Sequence, residues 1–346
     1  MPVDVGLARL SNDLIAGGIV AYSVGFLGFA LDAAYGNHAR AAAKSALRVP
    51  AQVPALVGVA AGSAQSAGSG FSGASADGPA EGAGSSSSAR SGFARRVGLA
   101  AIACTGIGWL LHLGAILSRG LAVHRLPWGN MYEFTVALTF AAVTAFLVIL
   151  NRQPARYLGV FVMAPVVLAL GLSVLVLYVA PAPLMPALHS YWLAIHVTAA
   201  IIASGVFIVA TAATVMFLIA ERYALATAAG KPVRFSGLAR IMPDAETLDR
   251  TAYRAYAFAF PIWTFAVIAG AIWAEYAWGH YWQWDPKETW AFITWIVYAG
   301  YLHARATAGW RGRKAAYVAM LGFVTILFNF FIVNIFISGM HSYAGV

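Results

Sequence analysis

Cysteine is almost missing from this chain: Cys104 is the only one among 346 residues. A single thiol excludes an internal disulfide, a CxxC redox pair and a CxxCH haem-attachment motif. Any thiol chemistry in which the protein takes part must use thiols carried by another molecule. Charge is also scarce. Asp, Glu, Lys and Arg make up 10% of the residues, where a globular domain carries about 25%. Because 61% of the chain is hydrophobic, composition points to a membrane class. No internal repeat is long enough to suggest the inverted halves of many transporters.

What the chain has instead is long apolar windows. About 20 apolar residues cross a bilayer, and eight windows approach that length: Leu14 to Leu31, Val97 to Leu117, Met131 to Leu150, Tyr157 to Ala180, Tyr191 to Ala220, Ala255 to Ala274, Lys287 to Leu302 and Ala315 to Ser338. They are too long for barrel strands and do not alternate strictly. A backbone in lipid must satisfy its own hydrogen bonds, so the expected class is an all-α polytopic membrane protein with about eight transmembrane helices. The first window is not read as a signal peptide, since no basic segment precedes it and no convincing cleavage site follows.

A formal charge of +9 invites a nucleic-acid reading, but the positions of the basic residues argue against one. Arg40, Lys44, Arg48, Arg90, Arg95 and Arg96 follow the first window, and Arg152 and Arg156 the third. Arg222, Lys231, Arg234, Arg240, Arg250 and Arg254 follow the fifth; Arg305, Arg311, Arg313 and Lys314 follow the seventh. Eighteen of the 22 basic residues thus fall on one side, which the positive-inside rule makes cytoplasmic. Both termini and the tryptophan-rich segment described below then face the outer side of the cytoplasmic (inner) membrane. The charge is topological, and no nucleic-acid partner is expected.

Residues 58–91 are almost entirely Gly, Ala and Ser, too poor in apolar surface to offset the entropy of ordering. The expected organisation is an N-terminal transmembrane helix over 1–50, a cytoplasmic linker over 51–96 and a seven-helix body over 97–346. Leu238, Ile241, Met242 and Leu248, among charged residues in the loop from Glu221 to Arg254, suggest a short amphipathic surface helix.

The densest chemical signal is WAEYAWGHYWQWDPKETW, residues 273–290. Trp273, Trp278, Trp282, Trp284 and Trp290 fall there, interleaved with Glu275, Asp285, Lys287 and Glu288. Tryptophan belts are ordinary at membrane interfaces, but a belt has no need of these charges. A shelf for a large flat ligand does, because indoles stack on the ring while polar groups orient it. Lys287, the basic residue of that loop, pairs either with an anionic group of such a ligand or with Glu275, Asp285 or Glu288.

Histidine within a bilayer is costly and tends to face a functional cavity, with a hydrogen bond to a neighbouring helix as the common alternative. His196 lies five residues into its window, about 7 Å below the outer end, and His341 follows the last window by three residues. Both approach the level of the tryptophan loop, and two neutral imidazoles facing each other form an axial pair for haem iron. Spacing alone leaves ligation and structural packing open. His303 lies about 24 Å deeper than Lys287, too far to share an iron with His341. Its alternative role is a helix-end contact with terminal carbonyls. His112 is expected to pack within its span, His38 and His124 to be solvated, His189 to start a helix and His280 to sit in the loop or touch a ligand carboxylate. Glu133 is expected to orient a neighbouring loop or helix.

The tryptophan segment resembles the WWD signature of a haem-handling family that includes the CcsA (ResC, in some bacteria CcsB) subunit of the System II cytochrome c synthase, with CcmC and CcmF as relatives. WGNMYEF at 128–134, YWLAIHV at 191–197, YLHAR at 301–305 and SGMHSYAG at 338–345 resemble further motifs of that family, in its order, and together cover the body from about residue 97. The Gly/Ser-rich linker departs from the compact family pattern. The resemblance implies cytochrome c biogenesis with haem b as ligand and substrate. It implies that His196 and His341 hold an outer haem iron, and that Trp273, Trp278, Trp282, Trp284, Asp285, Lys287 and Trp290 surround the ring. His303 would be one ligand of a second, intramembrane haem, with the opposite ligand supplied by a ResB/CcsB-type subunit. The other implied partners are apocytochrome c, with its CxxCH thiols, and a thiol-reducing thioredoxin-like protein. On this reading the chain is a subunit of holocytochrome c synthase. A cytochrome b-like electron carrier and a haem exporter without attachment chemistry are the alternatives.

Overall fold

The computed structural model of the protein describes residues 3–46, 82–183, 188–231 and 242–341. With no water to satisfy its backbone, an apolar chain in lipid must form helices, and the described residues do so without a strand. In chain order the helices are α1 (Val5–Ala46), α2 (Gly82–Val123), α3 (Met131–Arg152) and α4 (Gly159–Leu175, led in by a 3-10 turn at Arg156–Leu158). They are followed by α5 (Tyr191–Ala228), α6 (Ala245–Trp278), α7 (Pro286–Thr307) and α8 (Arg313–Leu327), which continues through a π-helical stretch, Phe328–Val333, into Asn334–Phe336. Seven of them are long and apolar enough to cross a membrane, and the chain is an all-α polytopic membrane protein. α7 does not count among these seven, although its 22 residues match the others in length; Lys287, Glu288, His303 and Arg305 lower its apolar content.

Helix ends are set by side-chain caps rather than by hydropathy, so several helices overrun the expected windows. Asn130 accepts from the Glu133 N–H to start α3, Ser190 from Trp192 to start α5, and Asp244 from Thr247 to start α6. Such caps satisfy amide groups that have no partner within the helix. α6 consequently begins ten residues before the apolar window. Leu248, expected on a surface helix, is instead fully buried in the core; Leu238 and Ile241 of that expectation lie outside the described residues. α2 begins at Gly82, inside the segment expected to be linker, and residues 47–81 lie outside the described residues.

α5 is the central helix: 78% of its apolar window is buried, against 28 to 44% in the other spans. It packs on α6, α3 and α8. Close approach to α3 depends on Gly205, where a Cβ would stand 2.7 Å from Ala141 Cβ. Small residues at such crossings let helices gain dispersion contacts where no hydrophobic drive exists between them. α1 is not a detached span. It lies along α2 and also touches α4, with Tyr22 OH 3.3 Å from His112 Nδ1. His112 is fully buried there, edge-on to Phe140, in the packing role expected from sequence.

The chain alternates direction helix by helix. The Asp4 N–H bonds to the Ala122 carbonyl, which puts the start of α1 beside the end of α2. At that same end Glu133, 1% exposed, gathers the connecting loops. Its carboxylate accepts from Arg119 Nε at 2.9 Å, Arg125 Nη1 at 2.8 Å and the Gly129 N–H at 2.8 Å. The two arginines reach on to the carbonyls of Val179 and Ala182. This cluster ties the α2–α3 loop to the segment after α4, which gives Glu133 the orienting role expected of it. Removing its charge strands two guanidinium groups, a change that typically costs about 3–5 kcal/mol. Glu133→Gln is expected to lower the thermal unfolding temperature of the detergent-solubilised protein by several degrees, whereas Glu246→Gln, in an exposed i,i+4 pair with Arg250, should leave it unchanged.

Candidate functional site

His196 sits on the second turn of α5 and meets α6 at a position without a side chain. A Cβ at Gly270 would stand 2.7 Å from both Cε1 and Nδ1 of the imidazole, so only glycine admits the ring. His196 Nδ1 lies 2.7 Å from the Ala266 carbonyl. A carbonyl only accepts, so the proton is on Nδ1 and the lone pair on Nε2.

His341 is positioned from the other side. Asp285, the N-cap of α7, completes a capping box with Glu288, and Pro286 follows at the first helical position. The same carboxylate holds the turn after α8. It accepts from the Met340 N–H at 2.7 Å and from His341 Nδ1 at 2.8 Å, as well as from the Lys287 N–H at 3.1 Å. The turn fits because residue 339 is glycine: a Cβ there would stand 2.5 Å from Asp285 Oδ1. Burial raises the Asp285 pKa, but the bonds from His341, Met340 and Lys287 outweigh it and hold the carboxyl below its ordinary value. A carboxylate on Nδ1 fixes the ring and puts the lone pair on Nε2, the arrangement common behind metal-binding histidines.

The tryptophans divide between inside and outside. Trp273, 2% exposed, packs against both histidines. Its ring is 7° from parallel with His196 at 6.2 Å and stands 5.7 Å from His341. Trp278 packs against Trp273 at 4.8 Å and His341 at 5.0 Å. Trp282 lines the space beside them. Trp284 is 65% exposed, and Trp290 stacks on Phe328 at 3.9 Å; neither lines the cavities described next. The five do not form one shelf.

Two adjoining cavities share His196, Trp273, Lys287 and His341 in their walls. One encloses about 1090 Å³ of empty space and the other about 560 Å³, the open solvent at their mouths included. The walls are otherwise largely apolar, with Trp263 and Ala291 common to both, and Phe134, Leu193 and Phe330 in the larger. Among the described residues no three His, Cys, Asp or Glu side chains gather as they would around a bare metal ion. Two imidazoles across an apolar space suit a metal whose equatorial ligands come from a flat organic ring, as in haem. The donor set therefore fits the expected ligand.

Lys287 reaches into both cavity walls, with Asp285 close enough to favour its charge. Its ammonium bonds to Asn334 Oδ1 and, among the described residues, makes no ion pair with Glu275, Asp285 or Glu288. His280 stacks on Trp278 at 6.3 Å and lines neither cavity. His189 is exposed just before the Ser190 cap, and His124 is exposed with φ 53°. His303 is exposed on α7, sixteen residues beyond Lys287, near the Arg305–Asp249 ion pair at the opposite end of the bundle.

Sequence reasoning passed over several wall residues. Trp128 to Met131 and Phe134 line the larger cavity; they belong to the WGNMYEF motif, which was noted without a place in the site. Asn329 and Asn334 were signalled only as polar residues in an apolar span, an expensive placement. Gly270 carried no signal, since a glycine in an apolar run does not show what packs on it.

Residues 128–341 match the sequence model of the cytochrome C assembly protein family. Among curated proteins, "Cytochrome c biogenesis protein CcsA" of Guillardia theta is 34% identical, covering 71% of this chain and 84% of the relative. The protein of that name from Microcystis aeruginosa is 34% identical over 71% and 88%, and the one from Synechococcus elongatus is 34% identical over 72% and 90%.

Because the Asp285 pKa is depressed, the stabilisation it supplies is present above the ordinary carboxylate value and is lost as pH falls through the lowered one. Hydrogen exchange at residues 338–341, corrected for intrinsic rates, should stay flat from about pH 8 to 5 and rise only below about pH 4. Asp285→Ala should show the raised exchange already at neutral pH.

Proposed function

The chain belongs to the cytochrome c assembly protein family, and from that membership we propose that it holds haem b between His196 and His341 and presents it to apocytochrome c for covalent attachment. The observation that carries this reading is the pair of imidazoles, each with Nδ1 engaged, lining one apolar cavity. The positive-inside distribution of Arg and Lys supports a position for that cavity at the outer face of the cytoplasmic membrane. Haem supplies the reactive vinyl groups, and each substrate thiol adds S–H across one of them to give a thioether without net oxidation. Cys104 lies in α2, so both thiols come from the CxxCH motif of the substrate.

This chain's own residues bind, orient and exclude water. Ala266 and Gly270 fix the His196 ring; Asp285 and Gly339 fix His341. Trp273 and Trp278 pack against the imidazoles and form a dry wall beside them. Because His341 sits on a short turn rather than inside a helix, it is the ligand that yields when the substrate's own histidine takes its place.

His303 belongs to a different level. Its exposure on the flank of α7 supports a role as one ligand of a second haem, completed by a ResB-type membrane subunit, with a thioredoxin-like protein keeping substrate thiols reduced. An electron-carrier bundle would pair histidines internally at both depths, but the remaining intramembrane histidine, His112, is enclosed by Tyr22 and Phe140.

His196→Ala and His341→Ala are each expected to abolish holocytochrome c formation, scored as haem-stained cytochrome c, and to remove the bis-histidine absorption spectrum of the purified chain. Normal haem staining in either variant would refute the assignment.

A further inference from the structure

Lys287 is the cationic side chain in the cavity wall, and α8 is built to hold it there. In a regular α-helix, positions 329 and 334 would point about 140° apart at 3.6 residues per turn. The π-helical stretch Phe328–Val333 widens the turn to an i→i+5 repeat, and Asn329 and Asn334 both line the larger cavity. Both carboxamides engage the same residue. Asn334 Oδ1 accepts from the Lys287 ammonium, and Asn329 Nδ2 donates to the Lys287 carbonyl at 3.4 Å. π-Helical turns interrupt the regular hydrogen-bond ladder and recur at functional sites; here the interruption turns two amides toward one lysine.

The cluster is incomplete as it stands. An ammonium inside apolar walls is costly; Asp285 favours its charge from nearby, but the Asp285 oxygens serve His341, Met340 and the Lys287 N–H rather than the ammonium. Asn329, 7% exposed, has a buried Oδ1 with no hydrogen-bond partner among the described residues, and Trp128, in the same cavity wall, has a buried Nε1 with none among them. The wall therefore offers an ammonium with no ion-pair partner among the described residues and a buried indole donor, both suited to a carboxylate, whereas the Asn329 oxygen is an acceptor and takes no part in that complement.

We propose that Lys287, Asn329, Asn334 and Trp128 form a carboxylate-binding pole that takes a propionate of the haem and so decides which edge of the ring faces out. This rests on the haem reading above. Haem b carries its propionates on the edge opposite its vinyls, so anchoring the acid edge against α8 turns the vinyl edge toward the substrate. Lys287 and Trp128 donate to the carboxylate. Asn334 and Asn329 hold the lysine in place and act as positioning residues.

The test is a titration of the full chain in detergent with haemin and with haemin dimethyl ester, whose propionates cannot carry charge. The native chain should bind the acid roughly tenfold or more tightly than the ester, as expected for charge-assisted hydrogen bonds. In Lys287→Met and in Asn334→Leu that ratio should fall to about one, through weaker binding of the acid alone. Ester affinity and the bis-histidine spectrum should be unchanged, which also shows that the variants are folded, and Lys287→Arg should keep the preference. Equal binding of acid and ester by the native chain, with an intact bis-histidine spectrum, overturns the pole and leaves the haem reading standing. So does a preference that survives in Lys287→Met. If neither porphyrin gives a spectrum that depends on His196 and His341, the haem reading fails and the pole with it.

Discussion

One carboxylate holds the working end of this protein together. Asp285 caps α7, accepts the Met340 N–H and orients His341, so it joins the end of the tryptophan segment to the turn after α8. A charged acceptor serving three donors at once is stronger than three neutral bonds made separately. It also couples events that are distant in the chain: a shift of the α7 cap is a shift of His341. The second histidine is held by an independent device, the notch at Gly270 beneath the Ala266 carbonyl. The two imidazoles thus approach one space from supports that share no residue.

The cavity is built on a contrast of scales. Its walls are broad and apolar, supplied by aromatic and aliphatic faces of five helices. Its polar groups are few and each is fixed by a neighbour. Glu133, remote from the imidazoles, belongs to the same design, because it ties down the loop from which Trp128 and Gly129 enter the wall. The most enclosed ion-pair cluster among the described residues thus ties down loops, at the end where those loops border the cavity. The opposite end carries His303 and the Arg305–Asp249 pair on a long helix, a separation that no single ligand spans.

The helical class and the alternation of spans were legible because lipid leaves the backbone no other choice and because basic residues concentrate on one side. Helix ends were less legible. Asp244 and Ser190 set them through hydrogen bonds that hydropathy does not register, and α6 therefore extends beyond its window. His196, His341 and Asp285 were identified as chemistry-bearing, but their partners were not. That Ala266 would accept from His196, or that Asp285 would hold His341 rather than Lys287, depends on helix rotation, which composition leaves undetermined. The tryptophans show the same limit: five residues of one type in one segment take inward and outward roles according to the local turn, with Trp273 enclosed and Trp284, at φ 59°, turned out.

The sequence by itself determined the membrane class, the helical secondary structure, the absence of an internal disulfide and which residue types stand where along the chain. All of these follow from residue type and count along one dimension. Only the tertiary structure decided which of those residues meet. The Gly270 notch that admits His196, the π-helical turn that brings Asn329 and Asn334 to Lys287, and the closure of the C-terminal turn on Asp285 each depend on distances of a few ångströms between residues 42 to 74 positions apart. Packing, not pattern, sets such distances, because whether two side chains touch depends on how neighbouring helices rotate to fill the space between them.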